Sequence, residues 1–320
     1  MLISDILFFI AGIMLLWQGA EVLVRGSSKL ALRIGVRPLV VGLTVIAMGT
    51  SAPEFAVSML SALRHTNDIA LGNIIGSNIA NIGLVIGITA LIRPLTIEVN
   101  TVRREMPFLI VATAVFYLLS LDKKLNFIDG LILLSGFMVF LGYMFRMASQ
   151  QRKDGKKLRA EMEENGDEKK KRPLKRYFAM IFAGLLALLL GSYWLVKSAV
   201  VIAETLGVSQ VVIGITMVAV GTSLPELAIS AVGAVRGHID IAVGNAVGSN
   251  IFNTLFVIAA VSMVTTIKVD AHLLHFEYPV MLIFTLISFP LMRTGYKLSR
   301  PEAFALLGGY SIFISLLFIF

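Results

Sequence analysis

The chain has 320 residues, of which 57% are hydrophobic and 15% charged, with a mean hydropathy of +0.85, too apolar for a soluble domain of this length. Its net charge of +8 is not accompanied by any aromatic-basic surface module, so nucleic-acid binding is excluded and the basic residues must be explained by topology. With no cysteine there is neither a disulfide framework nor a thiolate metal site.

A helix needs ~20 mostly apolar residues to cross the hydrocarbon, and ten such stretches follow one another: 4–28, 38–63, 69–91, 105–120, 126–148, 177–203, 209–233, 239–265, 273–292 and 301–320. None has the period-2 alternation of a membrane barrel strand, so the expected fold is an all-α integral membrane protein of ten transmembrane helices. The first stretch, MLISDILFFIAGIMLLWQ, lacks a basic n-region and reads as a retained span rather than a cleaved signal. The second carries GTSAPE at mid-course (residues 49–54) and the third GNIIGSNIAN (72–81). After the fifth comes a densely charged segment, 149–176, expected to be a cytoplasmic linker without fixed structure. The seventh span carries GTSLPE (221–226) and the eighth GNAVGSNIFN (244–253). With the N-terminus outside, Arg25, Lys29, Arg33, Arg37, Arg93, Arg103, Arg104, Arg146, Arg236, Arg293, Lys297, Arg300 and the basic residues of the linker all face the cytoplasm, whereas Arg64, Lys123, Lys124 and Lys268 lie outside. The positive-inside rule thus predicts both termini outside.

Residues 42–81 match residues 214–253 without a gap at an offset of 172, with 22 of 40 positions identical. Shared apolar bias would not align Glu, Asn and Ser, which are costly and rare at membrane depth. The chain therefore divides into a first unit (1–148), the linker (149–176) and a second unit (177–320). Five spans is an odd number, so the second unit enters the membrane in the opposite sense: the repeat is inverted, with discontinuous helices at its centre. Such units meet at a pseudo-two-fold axis in the membrane plane, which brings the two copies of a mid-membrane motif together.

Glu54 and Glu226 are carboxylates at membrane depth, and each needs a partner there, most economically a cation. Pro53 and Pro225 lack an N–H and, with Gly49 and Gly221, loosen the preceding turn, freeing carbonyls near Ala47, Thr50, Ala219 and Thr222. Asn73, Ser77 and Asn81 are four apart, as are Asn245, Ser249 and Asn253, and form one polar stripe on each helix. The glycine pairs 72/76 and 244/248 make small-xxx-small tracks for a close neighbour. All these groups offer oxygen alone, which suits calcium with its six to eight oxygen ligands. The four histidines (65, 238, 272, 275) fall near span ends and read as interfacial, and Asp68 and Asp240 read as helix N-caps that could also draw cations to the entrance.

The paired GTS-x-PE and GN-x-x-GSN-x-x-N motifs resemble the α-repeats of the sodium/calcium exchanger family, within the cation/calcium antiporters, and the resemblance covers both halves. It implies that Glu54 and Glu226 bind calcium, helped by the Thr50 and Thr222 carbonyls. Sodium would use the same glutamates with Ala47, Thr50, Ser51 and Ser77 on one side and Ala219, Thr222, Ser223 and Ser249 on the other, while Asn81 and Asn253 complete the central position. Relatives often have an aspartate at one of those two positions; asparagine at both speaks against potassium co-transport and removes proton binding there. Two glutamates neutralise one calcium, so calcium and sodium compete for one pair of charges, the condition for antiport. The resemblance further implies electrogenic turnover, a plasma-membrane location, sliding of the first and sixth helices, calcium and sodium as transported ions, no cofactor, and a single chain in the bilayer with no obligate protein partner. A proton/calcium antiporter with Glu54 and Glu226 titrating is the alternative, disfavoured by the hydroxyls of both GTS motifs. An intramembrane hydrolase finds no buried His or Asp beside Ser51 or Ser223, so no enzyme is expected. A channel would need several subunits around a pore.

Overall fold

The computed structural model describes residues 2–163, 173–205 and 221–317. They are overwhelmingly helical, in the order α1 (Leu2–Ile34), α2 (Pro38–Thr50), α3 (Ala52–Leu63), α4 (Asn67–Ile92), α5 (Thr101–Asp122), α6 (Phe127–Glu163), α7 (Leu174–Thr205), α8 (Leu224–Val235), α9 (Ile239–Val264), α10 (Leu273–Tyr296) and α11 (Arg300–Leu317). Among the described residues seven helices are long and apolar enough to span a bilayer. The pair α2 and α3, bent by 41° at its break, is long and apolar enough only when the two are taken together. The remaining predicted spans, 209–233 and 301–320, run partly into residues outside the described set; α8 and α11 are their described parts.

The expected break in the second span is present, and its cause is local. Ser51, between α2 and α3, has φ −81° and ψ 11°, and Pro53 sits in the first turn beyond it. Ser223 before α8 repeats this with φ −85°, ψ 2° and Pro225. A proline fits the first turn of a helix, where its missing N–H is one of the unpaired donors anyway, and so each motif restarts the helix, at Ala52 and Leu224, with its glutamate in the first turn. The polar stripes end similarly: a π-helical turn begins at Asn81 (Asn81–Ile86) and another at Asn253 (Asn253–Val257). A π-turn inserts one residue into the helix and re-aims the faces that follow, and such turns concentrate at functional sites.

The helices α4 and α9 form the centre, 83% and 78% of their spanning windows being buried inside the protein, against 28% for α1, α6 and α7. The outer helices leave leucine, isoleucine and phenylalanine side chains exposed on their outward faces. Two of them, α1 and α7, pack backbone to backbone. A Cβ on Gly12 would meet the Leu195 N–H nitrogen at 2.8 Å, one on Gly19 the Ala187 Cβ at 2.9 Å, and one on Gly26 the Met180 Cβ at 2.9 Å. The seven-residue spacing of these glycines keeps one face of α1 against α7 for its whole length. Two short antiparallel ladders close the ends: β1 (Leu95–Thr96) pairs with β4 (Lys297–Leu298), and β2 (Lys124–Leu125) with β3 (Ile267–Lys268). Each ladder joins a loop of the first half to a loop of the second.

Two expectations are corrected. The segment 149–176 is not wholly without structure, because α6 continues to Glu163. Its residues after 148 are rich in Lys, Arg, Glu and Ala, good helix formers, and a helix already nucleated in the membrane extends at little cost. Asp68 and Asp240 are not N-caps: the caps are Thr66 and His238, and the aspartates lie within the first turn. A carboxylate there still meets the positive end of the helix dipole without making a capping bond.

Candidate cation site

The sequence places Glu54 at the start of α3 and Glu226 at the start of α8, each just beyond a helix break, and both side chains are fully buried. The breaks do not face their own half of the chain. Ser51 Oγ donates to Glu226 Oε1 at 3.2 Å, and Thr50 Oγ1 donates to Asn245 Oδ1 at 3.1 Å and lies 3.4 Å from Ser249 Oγ. On the opposite side Thr222 Oγ1 donates to Asn73 Oδ1 at 3.3 Å and lies 3.2 Å from Ser77 Oγ. The break of each half thus meets the polar stripe of the other.

Within each half the stripe holds the glutamate's backbone. Asn73 Nδ2 donates to the Glu54 carbonyl at 3.1 Å and Asn245 Nδ2 to the Glu226 carbonyl at 3.4 Å, two bonds related by the sequence offset. Asn73 also donates to Ser58 Oγ, which itself donates to the Ala70 carbonyl; Ser230 donates likewise to the Ala242 carbonyl. Behind the first break, Gly248 brings α9 against α2, where an added Cβ would lie 2.7 Å from Leu43 Cα and 2.9 Å from the Ala47 Cβ. The glycine track of the second stripe is therefore the seat of the first half's broken helix.

The two carboxylates are not alike in their surroundings. Glu226 Oε1 receives hydroxyls from both Ser51 and Ser249, each at 3.2 Å. Among the described residues, no donor meets hydrogen-bond geometry at either oxygen of Glu54 or at Glu226 Oε2. Ser77 and Thr222 lie beside Glu54, and the two carboxylates are close enough for their charges to interact. The Asn81 and Asn253 side-chain oxygens and the Ser223 hydroxyl are also buried, without partners among the described residues. Buried polar atoms are normally satisfied, so six orphaned oxygens among the residues that the motifs single out fit a cation as the missing partner. Among the described residues no group of three or more His, Cys, Asp or Glu could hold a metal, so the donor set is two carboxylates completed by neutral oxygens. That set suits hard cations that must also leave.

Of the predicted residues, Thr50, Ser51, Ser77, Thr222, Ser249, Glu54 and Glu226 are brought together by these contacts. Ala47 is buried behind them; its carbonyl accepts the Ser51 N–H at 3.0 Å and the Thr50 hydroxyl at 3.3 Å, so the break frees it less than the sequence suggests. Ala219 lies outside the described residues. Two further features escaped the sequence reading. Asn78 and Asn250 bridge the halves, and Glu105 and Glu277, again 172 apart, are buried carboxyl groups, bonded to Tyr143 and His272 respectively, each with one unpartnered oxygen. The offset marks both pairs; the first lies off the four-residue stripe and the second beyond the aligned block.

Seven helices long and apolar enough to span a bilayer among the described residues, with a fully buried carboxylate from each half just beyond a helix break, define a multi-pass membrane protein with a cation site. The family comparisons agree. The model of the sodium/calcium exchanger protein family matches residues 4–146 and 176–319, and the chain belongs to that family. It is 33% identical over 316 residues to the inner membrane protein YrbG of Escherichia coli K12, covering 97% of this chain and 95% of that one. It is 30% identical to the sodium/calcium exchanger MaX1 of Methanosarcina acetivorans, covering 99% of each. Among solved structures it resembles the sodium-calcium exchanger NCX_Mj with a TM-score of 0.83 and 30% identity, over 98% of this chain and 99% of that one.

Proposed function

We propose that this protein exchanges sodium for calcium across the membrane by alternating access. The observation that carries the reading is the meeting of Glu54 and Glu226, one from each half, in a buried cluster of hydroxyl and amide oxygens with six oxygens unpartnered. Two negative charges balance one calcium; they also attract sodium ions, whose remaining ligands are supplied by Thr50, Ser51, Ser77, Thr222, Ser223 and Ser249, with the backbone oxygens of Ala47 and Ala219. Calcium and sodium then compete for the same charges and alternate. More sodium charge than calcium charge crosses per cycle, and turnover is electrogenic.

The architecture in this reading is two inverted five-helix repeats, 1–148 and 177–320, in a ten-helix chain with both termini outside the plasma membrane. The recurrence of contacts at the sequence offset, the reciprocal meeting of breaks and stripes, and the two loop ladders support it. The pair α1 and α7, fused along glycines, is the body that slides against the rest. One chain suffices.

The test is calcium uptake into proteoliposomes with sodium and proton gradients imposed separately. An outward sodium gradient alone should drive uptake, and because net positive charge leaves with the sodium, an imposed inside-positive potential should assist it and an inside-negative one retard it. Uptake driven by a proton gradient and indifferent to sodium would transfer the reading to proton/calcium antiport, with Glu54 and Glu226 carrying the protons.

A further inference from the structure

Asn81 and Asn253 serve a cation only if each turns oxygen rather than nitrogen toward it, and two neighbours decide which. Asn250 Nδ2 donates to the Asn78 backbone carbonyl at 3.0 Å, an atom that can only accept. Asn250 Oδ1 is thereby turned the other way, where Asn81 Nδ2 donates to it at 2.9 Å. The Asn81 oxygen is left buried and unpartnered.

The second chain of bonds runs alike from a different anchor. Asn78 Nδ2 donates to Thr254 Oγ1 at 2.9 Å and points at Met281 Sδ at 3.6 Å; a thioether, too, only accepts. Asn78 Oδ1 therefore receives Asn253 Nδ2 at 3.3 Å, and the Asn253 oxygen is left unpartnered. Rotating any one of these amides by half a turn sets donor against donor or acceptor against acceptor along its chain. Since all four side chains are buried, water cannot repair the mismatch.

We propose that Asn78 and Asn250 are positioning residues: they fix the amides of Asn81 and Asn253 so that both present oxygen to the transported cation. Their own amides are consumed by the network and touch no ion. The inference rests on the exchange reading above and adds to it the device that sets the polarity of the central site.

The test is a pair of double-mutant cycles, read as the half-saturating calcium concentration of sodium-driven uptake in proteoliposomes, on protein that elutes as a single species in detergent. Asn250→Leu releases the Asn81 amide and should raise that concentration about ten- to hundred-fold, the usual cost of removing the outer hydrogen bond of a metal ligand. In the Asn81→Asp background the same substitution should cost nothing or improve uptake, because a carboxylate presents an acceptor whichever way it turns and no longer meets the Asn250 oxygen. The mirror cycle, Asn78→Leu with Asn253→Asp, should behave likewise and stands in if the first variant does not assemble. An equal cost of the leucine in both backgrounds, or no cost in either, overturns the positioning role while wild-type exchange stands. Absence of sodium-driven uptake by the wild type overturns the exchange reading instead.

Discussion

Glu54→Gln keeps the shape of the side chain and removes its charge, and the structure predicts opposite effects with and without calcium. Among the described residues neither oxygen of Glu54 is in hydrogen-bond geometry with a donor, whereas Glu226 Oε1 is held by two hydroxyls. An unmet buried charge costs several kcal/mol. A second carboxylate whose charge reaches it adds to that cost. Part of that relief is lost in burying a new amide, leaving the ion-free variant more stable than ion-free wild type by roughly 1–3 kcal/mol. With calcium the sign reverses. Wild type gains about 2.7 kcal/mol at a calcium concentration of ~100 Kd, whereas the variant has lost one of two counter-charges, a loss of about 3–5 kcal/mol that removes binding in the accessible range. Thermal unfolding in detergent, in sodium-free buffer with and without calcium, reads both effects. The variant should melt above the ion-free wild type and fail to respond to calcium. A variant that melts lower than wild type without ions, and rises with calcium as wild type does, refutes the assignment of Glu54 to the cation.

Two further outcomes follow from the packing. Gly19→Leu drives a side chain into Ala187 Cβ and the Gly184 carbonyl, 2.9 and 3.0 Å from the position of a Cβ, and should destabilise the protein by about 1–3 kcal/mol or more. The matched control Gly308→Ala, where nothing lies within 4 Å, should be neutral or gain about 0.5–1 kcal/mol of helix propensity; thermal unfolding of the two variants checks both. Glu21 on α1 pairs with Arg25 and, at 2.6 Å, with Arg236 at the end of α8. This ion pair is half-open to solvent, so Glu21→Gln and Arg236→Gln should be non-additive in unfolding at low salt and additive near 1 M salt, where the screening length falls to ~3 Å; coupling that survives high salt would contradict a solvated pair.

The repeat made the site legible before any coordinates. A carboxylate at membrane depth is suggestive once, but Glu54 and Glu226 in the same hexapeptide 172 residues apart point to one place in the fold, and the structure does bring the motif residues into contact. The helix breaks were legible for the same reason, since proline has one physical meaning in the first turn of a helix. What the sequence could not give was the crossed pairing. Nothing in the spacing says that Ser51 reaches Glu226 rather than Glu54, because that depends on how two surfaces dock. Asn78 and Asn250 were hidden because their bonds run between halves rather than along a stripe. The end of α6 was misjudged because charge content was read as lack of structure, whereas helix extension beyond a membrane anchor depends on propensity and not on burial.

The two copies of the motif have the same residues and different surroundings, and that difference bears on exchange. Glu226 is bonded through Ser51 to the other half's helix break and through Ser249 to its own half's stripe, so its carboxylate is oriented by a contact that spans the interface between halves. Glu54 has the Ser77 and Thr222 hydroxyls beside it, but among the described residues none is in hydrogen-bond geometry. An ion drawing on Glu226 Oε1 competes with Ser51 for the same oxygen, and the strength of the contact between the halves then depends on what the site holds. A pair of charges that merely attracted cations would bind them; a pair in which one member is also bonded across the two halves makes occupancy and the packing between those halves interdependent.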